Sequence, residues 1–169
     1  MKYYSEIETP LGILTIIEEN KYIVEIIFGR TEREESEIFR KEDTDLLKET
    51  KKQLTEYFNK TRTEFQIPCK PKGTVFQKDV WNELMKIPYG ETMTYQEVAF
   101  SIGNVRACRS VGRANNKNPI PILIPCHRVI GKDNKLLGYA GGMEIKEFLL
   151  RLERKSVIKI IKICIILYG

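Results

Sequence analysis

The chain is organised around the stretch Pro119-Ile-Pro-Ile-Leu-Ile-Pro-Cys-His-Arg-Val-Ile-Gly131. An apolar run leads into Pro125, and Cys126, the sole histidine His127 and Arg128 follow directly. A cysteine is a nucleophile only as the thiolate, and its ordinary pKa of about 8.5 leaves most of it protonated at neutral pH. A nearby imidazole and a nearby cation both favour the thiolate. The stretch therefore predicts a reactive cysteine whose thiolate is favoured near neutral pH. Because neighbours in sequence rarely face each other, its proton should reach His127 through a water.

A bare Cys-His pair also has a structural interpretation, a small buried cysteine beside a surface histidine. The four cysteines, at positions 69, 108, 126 and 164, form no CxxC pair and are too sparse for a secreted disulfide scaffold. With one histidine and scattered thiols, a four-ligand zinc site is hard to build, so we expect no metal. A reducing, cytoplasmic setting fits this cysteine usage best.

Composition is that of a globular protein, with 169 residues, 42% hydrophobic and 30% charged, and we find no internal repeat. This length suits one domain or two small lobes. The net charge of +5 is a mild indication of an anionic partner. The N-terminus has no apolar signal core, and no run reaches the roughly 18 residues needed to span a bilayer. We therefore expect no membrane association.

The first part of the chain predicts a small α/β unit. Residues 1–29 read as a three-stranded antiparallel meander, whereas the segment Gly29–Asp43 is strongly charged and reads as solvated. Thr44 is a candidate N-cap for a helix that ends near Phe58. Residues 63–67 predict a further strand, and Pro68, Pro71 and Gly73 place a lobe boundary after them.

The second part predicts helices. Two capping boxes, Thr74 with Gln77 and Thr94 with Glu97, each begin one. A third helix should run from about Val105 to Lys117, and its distance from the second, across a glycine turn, is typical of a helix-turn-helix. A last helix begins near Met143. The apolar segment 157–168 beyond it predicts either a strand or helix packed on the body or an exposed aggregation-prone tail.

The third helix carries cations on one face. At about 100° per residue, one narrow sector collects Arg106, Arg109, Ser110, Arg113 and Lys117. Ser110 and Gly112 would allow the backbone to approach a phosphate-lined groove closely. An ordinary solvated basic face explains the same pattern equally well, so the sequence leaves both interpretations open.

Two further stretches bear on function. Gly138-Tyr139-Ala140-Gly141-Gly142 is a glycine-rich turn but not a GxGxxG fingerprint, and the chain has no P-loop, so we expect no nucleotide cofactor. Lys146 and Glu153 are seven residues apart, hence on one face of the last helix. Spacing alone favours plain solvated charge for both.

Taken together, the chain resembles the O6-alkylguanine-DNA alkyltransferases, also called methylated-DNA–protein-cysteine methyltransferases, most densely from Gly73 to Glu153. Pro-Cys-His-Arg in this context is a highly specific motif. The segments that carry the resemblance are Gly-Thr-Val-Phe-Gln77, Val80-Trp81, Ile87-Pro-Tyr-Gly90, Thr94-Tyr-Gln96, Arg109-Ser-Val-Gly112, Ala114-Asn115, Asn118-Pro119, Ile124-Pro-Cys-His-Arg-Val129, Gly138-Tyr139 and Gly141-Gly142.

The resemblance implies a catalytic set. Cys126 matches the alkyl acceptor, His127 the residue that takes its proton through a water, and Glu153 the acid that orients the imidazole. This is the nucleophile, base and orienting acid of a triad, with sulfur as the nucleophile. Tyr95 matches a tyrosine that donates to a ring nitrogen of the flipped base, and Lys146 a residue of the same pocket.

It also implies substrate and DNA contacts. The Val129 carbonyl would accept from the guanine amino group, the backbone at Tyr139 and Ala140 would lie over O6, and Asn118 would brace the helix-turn-helix against the active-site segment. Arg109 matches an arginine that fills the space of the extruded nucleotide. The implied DNA-binding residues are Arg106, Arg109, Ser110, Gly112, Arg113 and Lys117.

The implied fold is α/β, with a ribonuclease-H-like N-terminal lobe (residues 1–72) and a mostly helical acceptor domain with a winged-helix-like helix-turn-helix (73–155). A tail (156–169) has no assigned role. The implied function is irreversible, stoichiometric alkyl transfer from O6-alkylguanine, and less well O4-alkylthymine, to the protein itself, without a cofactor. The partner would be double-stranded DNA containing alkylated bases, bound by a cytoplasmic, nucleoid-associated monomer, or a nuclear one in a eukaryote.

Two alternatives differ in class from a transferase. A non-catalytic sensor of alkylated bases shares the fold but replaces the acceptor cysteine, so Cys126 with His127 and Glu153 weighs against it. A helix-turn-helix regulator would make Cys126 a redox sensor or an inert residue, but the chain has no evident dimerisation helix. Irreversible movement of an alkyl group onto Cys126 would distinguish a transferase from both.

Overall fold

The N-terminal lobe is a four-stranded sheet with one helix. The computed structural model describes residues 1–136, 138–139 and 141–154, so Ala140 and the predicted tail lie outside the described residues. The sheet has the order β3-β2-β1-β4, and the predicted antiparallel meander is confirmed. Its strands are β1 (Lys2–Thr9), β2 (Gly12–Glu19), β3 (Tyr22–Phe28) and β4 (Phe39–Lys41).

One strand of this lobe was missed and one prediction was wrong. Strand β4 lies within the charged segment Gly29–Asp43, which is largely exposed as expected apart from the buried Phe39, and it pairs in parallel with β1. Residues 63–67 form no strand, because the Gln66 amide donates to the Gln53 side chain at 2.8 Å. The edge of β3 is instead covered at Ile23, which bonds Pro68 and Lys70 at 2.9 Å each.

Helix α1 (Asp45–Phe58) begins where the sequence predicts. The Thr44 hydroxyl accepts from the Leu47 amide and so satisfies one of the unpaired donors of the first turn. The helix packs against the sheet through Leu47 and Leu54, both fully buried. This packing places Tyr57, near the end of α1, beneath the second part of the chain.

The second part is mostly helical, and both predicted capping boxes are present. Helix α4 begins at Cys108 and not at Val105, because Gly103 has a φ of +76° and the Asn104 carbonyl accepts from the Ala107 amide in a separate turn. The elements are α2 (Val75–Leu84), β5 (Met93–Thr94), α3 (Tyr95–Ser101), α4 (Cys108–Asn116), a 3₁₀ turn (Cys126–Arg128), β6 (Val129–Ile130), a second 3₁₀ turn (Lys132–Asn134) and α5 (Met143–Glu153).

Helices α3 and α4 pack on each other and on α2, which is the predicted helix-turn-helix arrangement. The indole nitrogen of Trp81, on α2, donates to the Ala114 carbonyl of α4 at 2.8 Å and fixes that helix from behind. One buried apolar cluster joins both parts, from Leu14 of the sheet to Val111 of α4 and Leu149 of α5. The mixed α/β fold with a sheet lobe followed by helices is confirmed. None of the helices in the described ranges is long and apolar enough to cross a membrane.

Candidate active site

Cys126 begins the 3₁₀ turn that follows α4, and it is only 2% exposed. Asn118 holds the segment before it: its side-chain NH₂ donates to the Ile124 carbonyl at 2.8 Å, and its oxygen accepts from the Ile120 amide at 3.0 Å. Asn115, on α4, donates to the Cys126 carbonyl at 3.3 Å. Two asparagines thus fix the position of the thiol relative to the helix-turn-helix.

Glu153 is the centre of a buried hydrogen-bond network. Its Oε1 lies 2.7 Å from His127 Nε2, and its two oxygens accept from Arg128 Nη2 and Nε at 2.9 Å each. The Tyr57 hydroxyl also donates to Oε1, at 2.7 Å. Glu153 is 1% exposed and Lys146 fully buried, so the solvated interpretation that spacing alone favours is wrong for both.

The protonation states follow from burial and pairing. Burial raises the pKa of Glu153, but the hydrogen bonds from His127 and Arg128 outweigh it and lower the pKa to about 2. Burial lowers the pKa of His127, which Glu153 only partly offsets, so the imidazole is neutral at pH 7. Because a carboxylate only accepts, Nε2 carries the ring proton. Nδ1, which has no hydrogen-bond partner among the described residues, is the basic nitrogen.

The protonation state of Cys126 differs from the sequence expectation. Burial raises the pKa of Cys126, while the side chains of Asn118 and Tyr139 and the Lys146 ammonium act in the opposite direction. The raised pKa makes the resting residue a thiol at neutral pH, contrary to the predicted thiolate. The motif could not reveal this, because burial depends on how the whole chain packs. A proton must therefore leave Cys126 during the reaction.

This arrangement predicts a flat pH profile. The pKa of His127 is lowered from its ordinary value of 6.5, so the imidazole is neutral at pH values above 6.5. The pKa of Cys126 is raised from its ordinary value of 9.0, so the thiol keeps its proton at pH values up to 9.0. Between these limits, the neutral thiol and neutral imidazole exchange a proton internally, so the single-turnover transfer rate should not change from about pH 7 to the region of pH 8, where Lys146 begins to lose its charge, and should fall at lower pH, as His127 protonates. Rapid-quench kinetics at saturating DNA would test this. A tenfold rise per pH unit across that range would contradict it.

Tyr95, Val129 and Lys146 converge beside the thiol. Lys146 Nζ donates to the Val129 carbonyl at 2.6 Å and lies 3.5 Å from the Tyr95 hydroxyl. Burial lowers the pKa of Lys146 to about 8 and raises that of Tyr95 to about 12. The Val129 carbonyl, expected to accept from the guanine, already accepts from Lys146. A carbonyl oxygen has a second lone pair, so both contacts are compatible.

The glycine-rich turn packs against the sheet lobe. The rings of Tyr139 and Phe28 lie 6.1 Å apart between centroids, and Tyr139 is almost fully buried. A Cβ at Gly141 would lie 2.8 Å from the Phe28 ring, closer than van der Waals contact permits, so a larger residue here would have to displace that ring. Strand β3 therefore helps to place the turn that borders the acceptor site.

The basic face formed by α4 and the residues at its two ends is open. Arg106, which precedes the helix and so does not lie in it as predicted, is exposed, as are Arg109, Ser110, Arg113 and Lys117, whereas Ala107, Val111 and Ala114 are buried. No carboxylate of the described ranges forms a salt bridge with these four cations. Gly112 faces Tyr95, since a Cβ there would lie 3.8 Å from its ring. The face is therefore free to bind phosphates and adjoins the acceptor site.

Two site residues were missed from the sequence. Arg128 was noted only as a nearby cation, but it binds Glu153 through two nitrogens. Tyr57 lies in the predicted helix that ends near Phe58, and nothing in the sequence links it to Glu153, 96 positions away. Within the part of the chain that the structure describes, no three His, Cys, Asp or Glu side chains lie close enough together to bind a metal ion.

The fold and site define a class: helix-turn-helix proteins with a buried cysteine, histidine and glutamate set beside an unpaired basic helix. Two family models identify the family. Residues 75–155 match the DNA-binding domain of 6-O-methylguanine DNA methyltransferase, and residues 2–71 match its ribonuclease-like domain. The chain belongs to the 6-O-methylguanine DNA methyltransferase family, and the predicted family is confirmed.

Individual relatives agree. A methylated-DNA–protein-cysteine methyltransferase of Methanosarcina barkeri is 47% identical over 156 residues, covering 92% of this chain and 99% of the relative. The constitutive enzyme of that name from Bacillus subtilis is 45% identical over 161 residues, covering 92% and 98%. A crystal structure of Mycobacterium tuberculosis OGT in complex with DNA has a TM-score of 0.80 and 41% identity, covering 90% of this chain and 92% of that one.

Proposed function

We propose that this protein repairs DNA by moving the alkyl group of O6-alkylguanine, and less well of O4-alkylthymine, irreversibly onto Cys126. The observation that carries the proposal is the buried Cys126 thiol on the same short turn as a neutral imidazole held by Glu153. The partner is DNA, as the DNA-binding domain match and the DNA-bound relative indicate. The protein acts as a nucleoid-associated monomer, with residues 1–72 as a supporting lobe and 73–155 as the acceptor domain.

The chemistry is a displacement at an sp³ carbon. The Cys126 proton passes through a water to His127 Nδ1, and the sulfur then forms a bond to the alkyl carbon as the bond from that carbon to O6 breaks. The electron pair stays on the guanine, and the Tyr95 hydroxyl donates to a ring nitrogen as negative charge develops there. The product is a thioether that nothing in the site hydrolyses. Each protein molecule therefore reacts once and needs no cofactor.

The buried thiol requires the lesion to leave the double helix. Inside a duplex the O6-alkyl carbon lies within the base stack. The damaged nucleotide must therefore be flipped out before this carbon can reach a sulfur that is nearly inaccessible. The open face of α4 binds the phosphates through Arg106, Arg113 and Lys117. Arg109, with the small residues Ser110 and Gly112 behind it, enters the duplex and occupies the vacated space.

Arg109→Ala should slow repair of a duplex lesion about tenfold or more while changing the reaction with free O6-benzylguanine less than about twofold, because only the duplex reaction needs a base to be extruded. Single-turnover rates on the two substrates would test this. Arg113→Ala, on the same face one turn later, is the matched control, with weaker DNA binding whose salt dependence is shallower by about one phosphate contact, but with a normal rate at saturation. Equal losses of Arg109→Ala on both substrates would remove the extrusion role.

The direct test is intact-protein mass spectrometry after incubation with a duplex carrying one O6-methylguanine. We expect a gain of one methylene, about 14 Da, that stops at one per protein and maps by peptide sequencing to Cys126. Tight lesion binding without a mass gain would instead indicate a non-catalytic sensor. If a folded protein showed neither lesion binding nor alkyl transfer, both functions would be excluded.

A further inference from the structure

Tyr57 brings the sheet lobe into contact with the charged centre of the acceptor domain. It lies in α1, is fully buried, and its hydroxyl is 2.7 Å from Glu153 Oε1. That oxygen is the one bonded to His127 Nε2. A residue of the first lobe and the proton acceptor of the second therefore share one carboxylate oxygen.

The Tyr57 hydroxyl can only be a donor here. Glu153 is a carboxylate at neutral pH and offers no proton, and burial keeps the Tyr57 phenol protonated far above its ordinary pKa. The ring cannot turn away, because it packs against Phe58, Phe65 and Tyr89 with centroids 5.3 to 6.1 Å apart. The hydrogen bond is thus a permanent part of the folded site.

We propose that Tyr57 is a positioning residue for the acceptor reaction. Its hydroxyl fixes the Glu153 carboxylate and limits how strongly that carboxylate stabilises a protonated His127. The inference rests on the proposed function and adds to it a residue from the other lobe. A donor on Oε1 spreads the carboxylate charge and weakens its stabilisation of a protonated imidazole. It also keeps Oε1 in line with Nε2, so that Nδ1 stays the basic nitrogen. Loss of the hydroxyl would make His127 more basic and worse oriented.

Other charges around Glu153 bear on the size of this effect. Arg128 occupies both carboxylate oxygens and the Gly90 amide lies 3.4 Å from Oε2, so Tyr57 is one of several donors. Its effect is therefore a modest adjustment of a carboxylate that remains ionised without it. The titratable and charged groups that face this network are Tyr57, Tyr89, Arg128, Tyr139 and Lys146. Of these, Tyr89 is a neutral phenol whose hydroxyl is directed to the Leu152 carbonyl and not to Glu153.

The test uses Tyr57→Phe, which removes the hydroxyl and keeps the ring and its packing. Because His127 is the sole histidine, its imidazole NMR signals can be titrated in the full chain without DNA. We expect the pKa of His127 to rise by about half a unit. The low-pH fall in the transfer rate should move upward by the same amount, and the plateau rate should drop about threefold to tenfold on both duplex lesions and free O6-benzylguanine.

Tyr89→Phe is the matched control, because its hydroxyl lies in the same aromatic cluster but donates weakly to the Leu152 carbonyl, at 3.4 Å. It should leave the His127 titration unchanged. An unchanged titration in Tyr57→Phe, or equal shifts in both variants, would overturn the proposal. If Tyr57→Phe does not fold, 3-fluorotyrosine at position 57, a stronger donor, should lower the His127 pKa, and a rise or no change would overturn it. The NMR result is independent of whether the protein transfers alkyl groups.

Discussion

Cys126→Ala is expected to abolish alkyl transfer completely while leaving binding to a methylated duplex within about threefold of the unmodified protein. The change removes only the sulfur atom of one residue of the buried apolar cluster, and it leaves the basic face proposed to bind phosphates unaltered. Removing the sulfur should cost only about 1 kcal/mol of folding free energy. Neither of the other described thiols shares the short turn that carries His127: Cys69 is in the sheet lobe with a pKa that burial raises to about 12, and Cys108 begins α4.

Mass spectrometry and a binding titration on the same oligonucleotide would separate the two effects. Cys69→Ala is the matched control, because it removes a thiol far from the acceptor turn and should transfer normally. Cys126→Ser should be as inactive as the alanine variant, because a hydroxyl is a far weaker nucleophile than sulfur without a stronger base. A methyl adduct on the Cys126→Ala protein would refute the assignment of the acceptor.

Glu153→Ala should have the largest effect on stability. It leaves the Arg128 guanidinium buried without a counter-ion and removes the acceptor of both His127 and Tyr57. Breaking one side of a buried charge pair typically costs about 3–5 kcal/mol, which corresponds to a fall in Tm of roughly 10–15 °C for a chain of this size. Transfer should slow at least about a hundredfold, because His127 loses its orientation and its support as a cation.

Calorimetry and single-turnover kinetics on Glu153→Ala, with Glu147→Ala as control, would measure both effects. Glu147 lies on the same helix but pairs with Arg151 at the surface, where such a pair contributes at most about 1 kcal/mol. The pKa of Glu153 is lowered from 4.5 to about 2, so its contribution to stability is present above about pH 4.5 and is lost as the pH falls toward 2. A Glu153→Gln protein should lack this acid dependence. An unchanged Tm in Glu153→Ala would contradict the central role of the network.

Local signals were sufficient for most of the helices and the meander. Each N-cap is decided by residues three positions apart, so Thr74 and Thr94 could be identified without knowing the tertiary structure. Strand β4 could not, because its three residues are mostly charged and pair with β1, more than thirty positions earlier. The start of α4 was missed because the turn at Gly103 and Asn104 competes with the first turn of a helix.

For the site, the motif located the residues but not their state. Cys126 and His127 are evident in the sequence, yet the buried position of Glu153 and Lys146 follows from the direction in which α5 packs. Periodicity gives the face of a helix but not what covers it. The thiol state and the contact with Tyr57 depend on burial and on chain segments far apart, which no local pattern encodes.

The indole of Trp81 gives this protein an intrinsic optical reporter. The sequence has a single tryptophan, so its fluorescence has one origin. The ring is nearly inaccessible, and its nitrogen is bonded to the backbone of α4, directly behind the cation-bearing face. Emission colour and lifetime therefore report on the helix that we propose contacts the nucleic acid, and they do so without a dye or an engineered label.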